Sequence, residues 1–450
     1  MITFEIMSGV RVYGLSRKLK DKIYNDLSFE NKAYTDAKKY GRYISSDIEP
    51  MHHFFSVNKE EGYVFIPRGY FYTLHMHIHK LGLEHKLIDR TLVLPKLNFK
   101  FKGKPRDYQL LAIKDLMKYP NGILQAATGS GKTFVGINMI AKRQQPTLIL
   151  VHSKELMNQW EKSIIDLLGE IPGIVGGGRC DVRPITIGII NSVKNKIDIL
   201  WDKFGHIILD ECHRVAGVTW IDTLEKLSAK YYLGLSATIF RNDELTGTLN
   251  AFIGPTMHKV DKEHLFNTGA VLKPEIIRIQ TNFDMPPGSE YISVISNMVR
   301  DKRRNELIVD AVIRDLNKNN TPVLIVSDRV QHCEILSKML KNKGAKVSLL
   351  LSKMNKQDRL DSVGDIKDNS TEVLIATGQL IGEGFDAPNL HALFLTTPVK
   401  YAGKLIQVAG RILRPEKGKT ARLYDFRDNN IFMINKQGRA RDKVYKEQWG

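Results

Sequence analysis

One segment constrains this chain more than any other: Ala126-Ala-Thr-Gly-Ser-Gly-Lys-Thr133. It follows the apolar run Gly122-Ile-Leu-Gln125 and opens a helical pattern from Phe134 to Lys142. A strand, a glycine-rich turn and a helix in that order make a phosphate-binding loop. Gly129 and Gly131 let the backbone curl until its N–H groups converge on phosphate oxygens. Lys132 supplies a cation for the β- and γ-phosphates, and the Thr133 hydroxyl a ligand for Mg2+. Ala126 stands where such loops usually begin with glycine, a small departure that keeps the loop feasible.

The surrounding pattern agrees. From about 105 to 275, short apolar runs alternate with helical segments: Gly122–Gln125, Thr147–Val151, Ile185–Ile189, His206–Leu209 and Tyr232–Leu235. Four to six apolar residues between polar turns suit buried parallel strands. After a looser stretch at 272–300 the alternation restarts with Val323–Val326, Lys346–Leu350, Val373–Ala376, Ala392–Leu395 and Ala421–Tyr424. Two doubly wound α/β domains in tandem follow. Residues 1–95 read differently, as a small α+β domain with a polar helix over Arg17 to Lys39, a strand at Gly62 to Pro67 and a helix from Tyr70 to Leu83. The extended, basic stretch Leu92 to Lys104 marks a boundary. The 450 residues thus divide into segments 1–95, 96–275 and 276–450, within the two to four domains that such a length allows at about 100–200 residues each.

A second chemical signal is Ile207-Ile-Leu-Asp-Glu-Cys-His213. An apolar strand delivers two carboxylates at its C-terminal end, where open parallel sheets bind ligands. Asp210 can hold Mg2+, and Glu211 can orient and deprotonate an attacking water. His213 is placed to couple this pair to something else. Cys212 reads as a small packed residue, and with Cys180 and Cys333 it forms neither a disulfide framework nor a zinc-ligand spacing.

These two motifs together resemble the Walker motifs of superfamily 2 helicases, and further segments resemble the remaining motifs in the family's order. Arg106-Asp-Tyr-Gln109 resembles the adenine-reading segment; the Gln109 amide offers the donor and acceptor that the base edge needs. Leu150 to Trp160 resembles the strand-binding motif. Ser236-Ala-Thr238 resembles the motif coupling ATP to nucleic acid, followed by Arg241 and Asp243. In the second α/β domain, Leu324 to Val330 and Ala376 to Pro388 resemble two more, the latter bringing Gly384 and Asp386 toward the ribose or the coupling network. Gln407-Val-Ala-Gly-Arg-Ile-Leu-Arg414 resembles the last. The resemblance implies tandem RecA-like domains that bind ATP and Mg2+ between them, with Arg106, Gln109, Thr128, Gly129, Ser130, Gly131, Lys132 and Thr133 on the nucleotide. It implies coupling through His213, Ser236 and Thr238, and catalytic roles for Gln407, Arg411 and Arg414. On a helix, positions three apart share a face, so Arg411 and Arg414 are expected to point together at the γ-phosphate.

Lys and Arg total 67 against 49 Asp and Glu, a net +18. The excess is net positive in residues 1–100, 101–280 and 281–450 alike, as expected of a polyanion crossing several domains. Gln407 at the head of the last motif, the Asp-Glu-Cys-His box and Gly382-Glu-Gly-Phe-Asp386 look most like the DNA branch that includes XPB and the phage UvsW proteins. Tyr63 to Gly69 is similar to the segment before the motor in the UvsW type. The resemblance therefore implies a DNA helicase acting on forks, Holliday junctions or displacement loops in recombination, repair or replication, with recombination or replication proteins as partners. An RNA helicase, the motor of a restriction or nuclease complex, and a DNA scaffold with a degenerate ATPase are the alternatives. No Pro-Asp pair occurs in the chain, so the usual nuclease signature is absent. No apolar run reaches the roughly 20 residues of a membrane helix, and a cytoplasmic location, in a host cell if phage-encoded, is expected. His52, His53, His75, His77 and His79 superficially suggest a metal cluster, with the last three sharing a face if the chain is extended there, but no cysteine or carboxylate pair accompanies them. Trp160, Trp201 and Trp220 are expected to pack in cores. Lys436 to Lys446 is expected to be a basic surface helix.

Overall fold

The computed structural model describes residues 1–39, 41, 43–45, 48–214, 217–237, 245–382, 387, 389–399, 402–416 and 418–450. They form two compact units, one of Met1–Ala127 and Gly131–Val260, the other of Asp261–Gly450 with Thr128–Ser130.

The first unit holds two main sheets. Its front sheet has five strands in the order Ser56–Asn58, Tyr63–Pro67, Gly9–Tyr13, Ile2–Ile6 and His85–Asp89. Only the last pair is parallel. Alternating residues Phe4, Val10, Val12, Val64 and Ile66 are buried, as a half-covered sheet requires. The helices Arg17–Leu27 and Tyr70–Lys80 contribute Leu19, Ile23, Leu27, Leu74 and Ile78 to the same core. The expected single helix over 17–39 is two. It breaks at Ser28–Glu30, which pairs antiparallel with Met51–His53, and resumes at Lys32–Lys39. Phe29 gains a ring contact with Phe54 at 5.6 Å in exchange. His75, His77 and His79 lie on the helix Tyr70–Lys80, where residues two apart point to different sides. His75 Nε2 meets His85 Nε2 at 2.9 Å, and no group of three metal-ligating residues occurs among the described residues.

The second sheet of this unit has eight strands in the order Arg179–Cys180, Gly173–Gly176, Ile185–Ile189, Thr147–Val151, His206–Asp210, Tyr231–Ser236, Asn121–Gln125 and Thr256–Lys259. All pairs are parallel except the one made by Arg179–Cys180. Each of the five expected strands is present within a residue or so of its expected bounds. The front domain and this sheet share one apolar core, running from Ile2 and Ile78 to Ile123, Leu249 and Ile253. Phe54 packs edge-on against Phe252 at 5.5 Å. Gly69 is required at the junction, because a Cβ there would meet the backbone of Asn250, Ala251 and Gly254. Beside it Arg68, buried, donates to the carbonyls of Ala229, of Lys230 (2.5 Å) and of Met7 (3.3 Å), and lies over the Tyr232 ring.

The second unit is a six-stranded sheet, all parallel, in the order Glu275–Gln280, Arg422–Arg427, Ala392–Leu395, Val323–Ser327, Val373–Thr377 and Val347–Leu350. The C-terminal basic stretch lies within the helix Phe432–Trp449, yet one side of it is buried through Ile434, Gly438, Arg441, Tyr445 and Trp449. Arg441 makes a bidentate pair with the buried Asp425, which docks that side, while Lys436, Arg439, Lys443 and Lys446 are exposed on the other, so the stretch is a basic surface helix held by one face. Trp160 and Trp220 are buried as expected, but Trp201 is 51% exposed. No helix among the described residues is long and apolar enough to cross a membrane.

Candidate nucleotide-binding site

The phosphate loop leaves the strand Asn121–Gln125 and is pinned at once, Ala126 N donating to Ser236 O at 3.0 Å. Gly129 and Gly131 have φ of 86° and 84°. That left-handed region strains side-chain-bearing residues and fits glycine. Ala126 is not among the positive-φ residues, which explains why a glycine is dispensable there. Gly131 caps the helix Lys132–Arg143, so the first N–H groups of that helix, with their positive end of the dipole, face the loop. Lys132 Nζ donates to the carbonyls of Ala126 (3.1 Å) and Ala127 (3.5 Å). The ammonium thus rests on the loop's own oxygens, and a phosphate seated in the curl would take it over. Thr128 Oγ1 is buried with no hydrogen-bond partner among the described residues, a donor that a phosphate oxygen would satisfy. Ser130 is buried and Thr133 half-buried at the helix start. The loop therefore fits a nucleoside triphosphate.

Gln109 is buried on the helix Asp107–Met117. Its Oε1 accepts from the Arg106 N–H at 2.9 Å. A Cβ added at Gly131 would sit 2.5 Å from its Nε2, so the amide lies against the phosphate loop. Arg106 is exposed immediately before that helix, with Nη1 3.5 Å from the Tyr108 hydroxyl.

Asp210 ends the strand His206–Asp210, and Glu211 follows at a left-handed φ of 49°. This turn sends the two carboxylates different ways. Asp210 Oδ2 accepts from the Trp160 indole N–H at 2.8 Å, and Oδ1 from Glu211 N at 2.9 Å. Each oxygen keeps a second lone pair, so the carboxylate is fixed in orientation while still able to hold Mg2+, directly or through water. Burial, and next the charge of Glu211, push the Asp210 carboxyl up to about 6. Glu211 is driven up by its own burial, but the hydrogen bond to His213 and the charge of Lys132 outweigh this and bring it to about 2. Two coupled carboxylates split in this way place the lasting negative charge on Glu211, the group expected to take a proton from water.

His213 Nδ1 lies 3.3 Å from Glu211 Oε2 and 3.1 Å from Ser236 Oγ. One ring nitrogen therefore stands between the carboxylate pair and the end of the strand Tyr231–Ser236. Thr238, Arg241 and Asp243, expected in the same motif, fall outside the described residues, as do Gly384 and Asp386.

In the second unit, Gln407 lies half-buried on the helix Ala402–Ala409. That helix ends before Arg411, which sits in a turn, and Arg414 lies in a bend beyond it. The helical i, i+3 argument for these two arginines is therefore incorrect. The helix ends at Ala409 and Gly410 opens the turn, before either arginine. Arg411 Nε donates to Ile381 O at 3.0 Å. Lys404, three residues before Gln407 on the same helix, pairs with Asp328 of this unit's first motif at 2.6 Å.

Two features escaped sequence reasoning. Trp160 acts on Asp210 across 50 residues of sequence, and only its place in the strand-binding segment hinted at a role. The turn Gly176–Gly178 has three positive-φ glycines, and the Lys154 side chain lies against Gly177. Three consecutive glycines are a readable signal of a backbone approached closely.

Residues 102–241 match the family model described as "Type III restriction enzyme, res subunit", and residues 303–416 match "Helicase conserved C-terminal domain". The chain belongs to the superfamily 2 helicases. Among its relatives is the putative helicase 161L of Invertebrate iridescent virus 6, 28% identical over 385 residues, covering 79% of this chain and 84% of that protein. Another is the DNA 3'-5' translocase XPB2 of Sulfurisphaera tokodaii, 32% identical over 186 residues, 41% of this chain and 42% of that one. The structure of Saccharomyces cerevisiae Dbp5 bound to RNA and ADP BeF3 superposes with a TM-score of 0.54 at 15% identity, covering 77% of this helicase and 94% of that chain. The fold is thus that of tandem RecA-like helicase domains, and the enzyme is an ATP-dependent helicase related to the XPB group.

Proposed function

We propose that this helicase is a DNA-stimulated ATPase that unwinds or branch-migrates branched DNA: Holliday junctions, forks and displacement loops, in recombination, repair or replication. The observation that carries the reading is the apolar core shared by the front domain and the phosphate-loop sheet. An element that grips duplex or branched DNA is useful to a motor only if it is rigidly tied to the part that binds ATP. The kinship with an archaeal DNA translocase supports DNA as the track. In this reading residues 1–95 bind the duplex, 96–275 bind ATP, and 276–450 form the second motor domain.

The residue roles follow the chemistry of the site. Lys132 meets the β- and γ-phosphates, with Thr128, Gly129, Ser130 and Gly131 around them, and Gln109 and Arg106 stand on the base side. Thr133 and Asp210 hold Mg2+, which when bound neutralises charge on the phosphates. Glu211 orients the water, and His213, Ser236 and Thr238 pass the state of the site to the track. Gln407, Arg411, Arg414, Gly384 and Asp386 serve nucleotide sensing from the second unit. A panel of Holliday junction, fork, displacement loop and tailed duplex, each with ATP and Mg2+ and each with an RNA counterpart, tests the reading. Preferential turnover of the branched DNA members is expected. ATPase stimulated by RNA alone, or activity confined to simple tailed duplex, would overturn it.

A further inference from the structure

The segment between Thr91 and Arg106 contains no acidic residue, while Lys96, Lys100, Lys102, Lys104 and Arg106 are all basic. In the structure it is neither helix nor strand beyond the single bridge at Leu92, yet from Lys96 to Arg106 its residues alternate strictly between exposed and covered. Lys96, Asn98, Lys100, Lys102, Lys104 and Arg106 are exposed, whereas Leu97, Phe99, Phe101 and Gly103 turn toward the protein. The strap is fastened along its length. Leu97 N donates to Gln144 O at 2.9 Å, and Lys102 N to Leu167 O at 2.8 Å. Phe99 exchanges hydrogen bonds with the Gln144 amide at 2.9 and 3.1 Å. Phe101 packs edge-on against Phe134 at 5.0 Å, and Gly103 lies flat on the same ring.

We infer that this strap is a second DNA-backbone track, distinct from the phosphate-loop edge of the sheet. An extended chain advances at most about 3.6 Å per residue, so alternate lysines stand about 7 Å apart, the step between neighbouring phosphates on an extended strand. The row is ordered before any ligand arrives, so binding costs little chain entropy. Contacts of this kind fix position without reading sequence. The strap also touches Phe134, two residues beyond Lys132, so the second track sits directly on the helix that begins at the phosphate loop. The inference rests on the DNA reading above.

The test uses the full chain with Lys96, Lys100 and Lys104 changed together to Gln. DNA and RNA of one sequence are titrated across a salt series. Three lost phosphate contacts should lower the slope of log affinity against log salt by about 2–3. The Lys→Arg triple should keep the slope, because it keeps the charge. A control with Lys318, Lys338 and Lys341 changed to Gln, exposed on outer helices of the second unit, should leave it nearly unchanged. An unaltered slope in the strap triple, or an equal fall in the control, overturns the strap. Wild-type binding to RNA alone overturns the DNA reading instead, and a slope loss on that RNA leaves the strap standing as a backbone track.

Discussion

Trp160→Phe isolates one hydrogen bond at the Asp210–Glu211 carboxylate pair. The indole N–H donates to Asp210 Oδ2 at 2.8 Å and both side chains are buried. Above about 6, where the Asp210 carboxyl ionises, this is a hydrogen bond to a charge, contributing about 1.5–3 kcal/mol; to the neutral acid it contributes about 0.5–1.5. Phe also leaves a void, whose cost does not depend on pH. The pH dependence therefore separates the two effects. The Asp210 pKa is raised above its ordinary value, so the stability it contributes is full below about 4 and is lost as pH rises through about 6. Removing the donor raises that pKa further and deepens the loss. Glu211, held to about 2 in the fold, stays ionised throughout and contributes nothing to the difference. Urea unfolding of the nucleotide-free full chain at pH 5 and pH 8 measures it. The variant should be destabilised more at pH 8 than at pH 5 by about 1–2 kcal/mol. Equal destabilisation at the two pH values would refute the claim that the indole holds the ionised carboxylate.

Lys132→Ala should abolish ATP turnover and leave DNA binding nearly intact, measured by phosphate release beside fluorescence anisotropy; normal turnover would remove the phosphate-loop assignment. Deleting residues 1–95 should do more than weaken DNA binding, because it uncovers Leu249, Phe252 and Ile253. The truncated chain should melt well below the full one and aggregate, and a truncated chain of unchanged melting temperature would show that the shared core is not structural.

The parallel strands were legible because burial on both faces writes them as short unbroken apolar runs, as at Thr147–Val151 and Val323–Ser327, where every residue is buried. The phosphate loop was legible because its glycines answer to backbone conformation and its lysine to charge, both local. What failed depended either on distant partners or on local signals that spacing and residue type overrode. Nothing near Ser28 says that the helix must stop there; Met51–His53, pairing from beyond the intervening helix, decides it. Spacing alone puts the arginine pair on a helix, although Gly410 carries the stop signal that glycine gives just past a helix end. Residue type groups Trp201 with Trp160 and Trp220, and type does not separate a core indole from an exposed one. Trp160's bond to Asp210 joins two elements that only sheet order makes neighbours.

The strand Tyr231–Ser236 shows how the front domain and the carboxylate pair can be one mechanical object. At its entrance the carbonyls of Ala229 and Lys230 are gripped by Arg68, and the Tyr232 ring lies under the same guanidinium. At its exit Ser236 meets His213, and through it Glu211. Between these ends it is hydrogen-bonded on both sides, to His206–Asp210 and to the strand that leads into the phosphate loop. A strand paired on both edges and buried cannot lengthen or slip by one residue without inverting every side chain. Load on the front domain is therefore delivered to the backbone of this strand, not absorbed by a linker.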